Sequence, residues 1–152
     1  AKASAEAKGK MNESDSLNNY QLASEILEGA GAISGPIQSG ILPFTAGAET
    51  KNKYQQLKGI LALDKRQLLK GSGQISDYES RVLDKAASAL GRNMSESAFK
   101  AELRKIRGVF ANAAGLKAEV SVTGPQGTIP SVFASRDEIN NLIREGNIVE
   151  YK

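Results

Sequence analysis

The chain has 152 residues, of which 40% are hydrophobic and 5% aromatic, with no Trp. This supports one modest core, built by thin helix-on-helix packing more than by large rings. The absence of Cys and His excludes disulfides, thiolate metal sites and imidazole acting as base or ligand. The net charge of +3 comes from 20 Lys and Arg set among 17 Asp and Glu, a mixed surface and not a concentrated nucleic-acid footprint.

Residues 1–13 are small and charged and offer nothing to bury, so they read as a tether, a frayed helix or a disordered segment. They lack the apolar stretch of a signal peptide. Ala1, with no initiator Met before it, is expected to be a processed end or, by preference, an internal point of a longer polypeptide. Ser14 or Ser16 can cap a first helix carrying Leu17, Tyr20, Leu22, Ala23, Ile26 and Leu27, which stops at Gly29-Ala30-Gly31.

The stretch from Ala32 to Gly47 is broken by Gly and Pro and is expected to be a loop, yet Ile33, Ile37, Ile41, Leu42 and Phe44 are apolar. Such a loop covers either its own domain or a partner. From Ala48 to Lys70 the spacing of Tyr54, Leu57, Leu61 and Leu68, with Ile60 and Leu69 beside them, predicts one long helix. Lys70 suits its last turn, Gly71 its left-handed end, and Gly59 is expected to let another helix approach closely.

Ser76-Asp77-Tyr78-Glu79 is a capping box, preceded by Ile75 at the staple position. The helix it opens carries Val82, Leu83, Ala86, Ala87 and Leu90 and closes at Gly91. After a short connector Ser95 caps another helix with a stripe of Phe99, Leu103, Ile106, Val109 and Phe110, ending at Gly115. So short a link predicts an antiparallel pair.

Beyond Gly115 the period changes. Glu119–Thr123 alternates, Gly124-Pro125-Gln126-Gly127 is a turn, and Thr128–Phe133 returns as a strand that Pro130 confines to an edge. Ser135 and Glu138 form a second capping box, before a helix with Ile139, Leu142 and Ile143 that ends at Gly146. Ile148, Val149 and Tyr151 make a last strand. The expected fold is therefore mainly α: an antiparallel bundle of three to four helices over residues 14–115, then a small α+β module over 116–152. The module is too small to be very stable alone. Deleting residues 118–152 is expected to leave the helical signal largely intact.

Chemistry is weakly signalled. Gly71-Ser72-Gly73 lacks the Lys-Ser/Thr and the preceding strand of a phosphate loop. Asp77, Glu79, Asp137 and Glu138 are explained as cap residues. No catalytic, cofactor or metal residues are assigned. No apolar run reaches the roughly 18 residues of a membrane span. The candidate partner contacts are Ile33, Ile37, Ile41, Leu42 and Phe44 of the loop, with Val132 and Phe133 of the module. The candidate phosphate contacts are two basic groups, Lys65, Arg66 and Lys70, then Lys100, Arg104, Lys105 and Arg107.

Tyr54-Gln55-Gln56-Leu57-Lys58, the phrase Gly71-Ser72-Gly73-Gln74-Ile75-Ser76-Asp77-Tyr78-Glu79, Ala86-Ala87-Ser88-Ala89-Leu90 and Met94-Ser95-Glu96-Ser97-Ala98-Phe99, followed by Leu103 and Ile106, together resemble a pattern of tailed-bacteriophage virion proteins. The resemblance covers about residues 17–115. Gly31–Phe44 is similar as well, and Gly127-Thr128-Ile129-Pro130 less so. It implies the C-terminal region of a longer structural, DNA-transfer or tape-measure-like protein, non-enzymatic and located in the tail or capsid interior. The implied partners are other virion proteins, further copies of itself and, in some roles, DNA. Two alternatives stay open: a DNA-binding accessory protein, or the non-catalytic end of a larger virion-associated enzyme.

Overall fold

The computed structural model describes residues 2–32, 36–43, 46–73 and 75–152. It is mainly helical with a small C-terminal antiparallel sheet, as the periodicity predicts. Six α-helices are described: α1 (Lys2–Gly29), α2 (Ala48–Ile60), α3 (Leu63–Gly71), α4 (Asp77–Leu90), α5 (Glu96–Ala113) and α6 (Arg136–Arg144). The strands are β1 (Ala118–Gly124), β2 (Gly127–Ala134) and β3 (Ile148–Tyr151), in the spatial order β2-β1-β3.

The local signals that dominate are the caps. Ser76 and Glu79 bond reciprocally at the start of α4, as do Ser135 and Glu138 at α6. Ser95 Oγ accepts the Ala98 amide at α5. Three expectations change. No cap stands at Ser14 or Ser16, because α1 runs on from Lys2 and Ser16 is buried within it. The expected long helix is two, broken at Leu61-Ala62, where Ala62 is extended (ψ 146) and Arg66 Nε takes the Leu61 carbonyl at 2.6 Å. The break rotates Leu68 out of the apolar stripe and brings the count before β1 to five helices, against the three to four expected. The left-handed residue after α3 is Gly73 (φ 81), two positions beyond Gly71.

Close packing falls on other glycines than Gly59, which faces open space. A Cβ at Gly29 would stand 2.2 Å from Thr50 Oγ1, and one at Gly108 would stand 2.7 Å from a ring carbon of Tyr151. Gly108 thus lets an aromatic ring from β3 seat on the backbone of α5. α5 is the central element: it packs against α1 and α4 and carries the sheet through β1 and β3. Its Phe99, Leu103, Ile106, Val109 and Phe110 belong to one core that continues through Val120, Ile139, Val149 and Tyr151. Tyr54 of α2 meets Phe99 edge-on, with ring centroids 5.3 Å apart.

Both sheet edges are blunted. Pro130 does lie on an edge strand, at a bulge where Ser121 of β1 faces Pro130 and Ser131 of β2. On the other edge Tyr78 Oη donates to the Val149 carbonyl, filling an acceptor that β1 does not use.

Candidate functional site

The apolar loop is mostly part of its own domain. The Ile37 amide and carbonyl each pair with those of Met94 at 2.9 Å, and the Ser39 amide donates to Asn93 Oδ1 at 2.8 Å. Ser39 and Gly40 turn the chain in left-handed conformation, and Gly40 lies against the Leu90 carbonyl, where a Cβ would come within 2.9 Å. This stitching turns Ile37 and Leu42 inward, where both are buried. Ile37 has no accessible surface and cannot meet a partner, so it leaves the set of candidate contacts, while Leu42 keeps 6% of its surface beside Ile41. Val132 is partly buried against the core. Ile33 and Phe44 lie outside the described residues. Ile41 and Phe133 are left standing outward, 71% and 65% exposed.

The basic candidates divide similarly. Arg66 pairs with Asp84 at 2.5 Å, Lys70 with Asp77 at 3.1 Å, Lys100 with Glu96 at 2.9 Å and Lys105 with Glu102 at 3.3 Å. These carboxylates would compete with a phosphate for the same donors. Lys65, Arg104 and Arg107 form no ion pair among the described residues.

A polar junction between the helices and the C-terminal module was not legible from local pattern. Glu79, only 1% exposed, is both the acid of the α4 capping box, accepting the Ser76 amide, and the partner of Arg136 on α6, whose Nη2 and Nε reach its two carboxylate oxygens at 2.8 and 3.1 Å. Tyr151 Oη donates to Asn112 Oδ1 at 2.6 Å, while Asn112 Nδ2 donates to the carbonyls of Ala134 (3.1 Å) and Leu116 (3.0 Å). The Tyr78 and Tyr151 rings stack at 6.0 Å. An acid three residues after a Ser reads as a cap, and nothing nearby in sequence announces a second partner 57 residues on.

Burial raises the pKa of Tyr54 to about 12 and holds those of Tyr78 and Tyr151 above the usual range as well. The Tyr54 hydroxyl has no hydrogen-bond partner among the described residues. A tyrosine whose folded pKa is raised keeps its proton longer folded than unfolded. Its contribution is therefore complete below the unfolded value near 10 and is lost as pH rises beyond it. Chemical melts should accordingly show stability falling steadily above about pH 10; a flat profile to pH 11.5 would contradict the burial of these hydroxyls.

Among the described residues no group of three or more His, Cys, Asp or Glu could hold a metal ion. None of the described helices is long and apolar enough to cross a membrane. Comparison with protein-family models, with curated proteins and with solved structures finds no match to the chain.

Proposed function

We propose that the chain is a non-enzymatic component of a tailed-bacteriophage virion, in the tail or capsid interior, which joins other virion proteins and copies of itself and assists DNA ejection. The virion part rests on the resemblance carried by residues 17–115. The assembly part rests on one structural observation: Ile41 and Phe133 are exposed on backbone that is itself held in place. Ile41 stands on the stitched loop, and Phe133 on a strand paired along its length to β1. A pre-ordered apolar side chain loses little entropy on docking, which favours its use as an anchor. Direct DNA binding is less favoured, because four of the seven candidate bases are committed to carboxylates of their own chain.

The test is incorporation into particles. The double variant Ile41→Asp, Phe133→Asp should keep its helical circular dichroism, since both positions are exposed. Its copy number per particle should fall about tenfold or more, the effect of losing on the order of 1.4 kcal/mol of contact. Incorporation at the wild-type level by a folded variant would remove these residues from the assembly surface.

A further inference from the structure

Charge is paired unevenly on the hairpin of α4 and α5. Residues 77–113 carry five acids and seven bases. All five acids are committed. Asp77 and Asp84 are held by Lys70 and Arg66 of α3, and Glu79 by Arg136 of α6. Glu96 and Glu102 are held from within the hairpin, by Lys100 and Lys105. Five bases are left without an ion pair among the described residues: Arg81, Lys85, Arg92, Arg104 and Arg107. The hairpin with its three borrowed bases therefore carries an excess of five, against +3 for the whole chain, and the remainder is net acidic. The even mixture of charge along the sequence conceals this, because the neutralising bases come from two other elements.

Arg81, Lys85, Arg92 and Arg104 are exposed, and Arg107 is half-buried. Arg81 and Lys85 stand one turn apart on α4, about 6 Å along its axis. Arg92 follows the last turn of the same helix. Lys85 lines a groove between α4, α5 and β3 that is also lined by Lys105, the neighbour of Arg104. Glu150 of β3 lines the groove as well and forms no ion pair among the described residues, so an anion is turned away from the strand and towards the helices. The hairpin offers no exposed ring: Phe99 and Phe110 are buried, and Tyr78 is half-buried and stacked on Tyr151.

We infer that the α4–α5 hairpin binds the phosphate backbone of duplex DNA, without regard to base sequence, through Arg81, Lys85, Arg92 and Arg104. The guanidinium forks match phosphate oxygens. A duplex presents one charge per about 1.7 Å of its axis, hence about twelve over the roughly 20 Å of α4, so bases at any spacing find partners. An acidic protein segment would have to match their spacing. A single strand would need exposed rings on which to stack its bases. Most of the bases that cluster in sequence are committed to carboxylates; Arg81, Lys85 and Arg92 stand outside those clusters. The inference does not rest on the virion reading, since it uses only the pairing of charges.

Fluorescence anisotropy of the full chain with a labelled mixed-sequence duplex of about 30 base pairs, from about 20 to 300 mM salt, tests this. Affinity should fall with salt at a log–log slope of about −3.6, or about 0.9 for each of four phosphates. The double variant Arg81→Gln, Lys85→Gln should flatten that slope by about 1.8 and weaken binding about tenfold or more at low salt, with unchanged circular dichroism. Lys65→Gln, which removes an unpaired base outside the hairpin, should change neither. Absence of binding at about 20 mM salt would overturn the inference. So would a slope that the double variant leaves unchanged, an equal loss from Lys65→Gln, or polyglutamate or phosphatidylserine vesicles that bind as tightly as the duplex.

Discussion

Deleting residues 148–152 is expected to abolish cooperative unfolding of the whole chain, helices included. Val149 and Tyr151 are both buried against α5 and β1. Removing a buried aromatic side chain costs about 3–5 kcal/mol and a buried valine about 1.5–3 kcal/mol. Together these approach the total stability of a typical domain, roughly 5–15 kcal/mol. The deletion also strands Asn112 Oδ1 and exposes the seat on Gly108. This outcome differs from the sequence-based expectation that residues 118–152 can be removed with the helical signal largely intact, and its ground is that buried residues of the two parts share one core. Urea melts followed by far-ultraviolet circular dichroism decide the matter. A truncated chain within about 1 kcal/mol of the full one would restore the picture of a separable module.

Glu79→Ala should be the most damaging single charge removal. It takes away the capping-box bond from the Ser76 amide, about 1 kcal/mol, and leaves the Arg136 guanidinium facing a buried site without this carboxylate. Breaking a buried pair costs about 3–5 kcal/mol. Because the Arg136 side chain retains 29% of its exposure, water recovers part of this, and a loss of about 2–4 kcal/mol is expected. The companion variant Glu79→Leu, Arg136→Met should regain much of it, because apolar residues of similar volume replace both charges at once. A loss below about 1 kcal/mol for Glu79→Ala, or a double variant no better than the single, would show that the pair is not coupled.

The elements that were legible are those whose instructions are local. A Ser followed three residues later by Glu, a Gly-Pro turn between alternating strands and a four-residue apolar stripe each fix a few backbone angles on their own, which is why α4, α5, α6 and the hairpin stand where periodicity places them. The break at Leu61-Ala62 has no Pro and no special dipeptide to announce it. There the chain gives up two helical positions so that Leu61 can be buried while Arg66 binds its carbonyl. For the same reason periodicity could not tell that Ile37 and Leu42 point inward and Ile41 outward, since their directions are set by pairing with Met94 and Asn93, more than 50 residues away. The groove lined by Val82 of α4, Glu102 of α5 and Ile148 of β3 needs a strand distant in sequence from the helix pair, and so leaves no trace in any one stretch.

The bond from Glu79 to Arg136 spans 57 residues, and that from Tyr78 to Val149 spans 71. At a synthesis rate of about 5–20 residues per second, Glu79 is made roughly 3–11 s before the residue that neutralises it. During that interval α4 and α5 can pair locally, but the face of α5 that will receive the sheet stays wet. Completion of the fold therefore waits on the last strand, and the closing step has the high sequence separation that slows folding. Conditions that stall synthesis late should enrich a helical intermediate with its apolar face uncovered, the species most open to capture by chaperones or to aggregation.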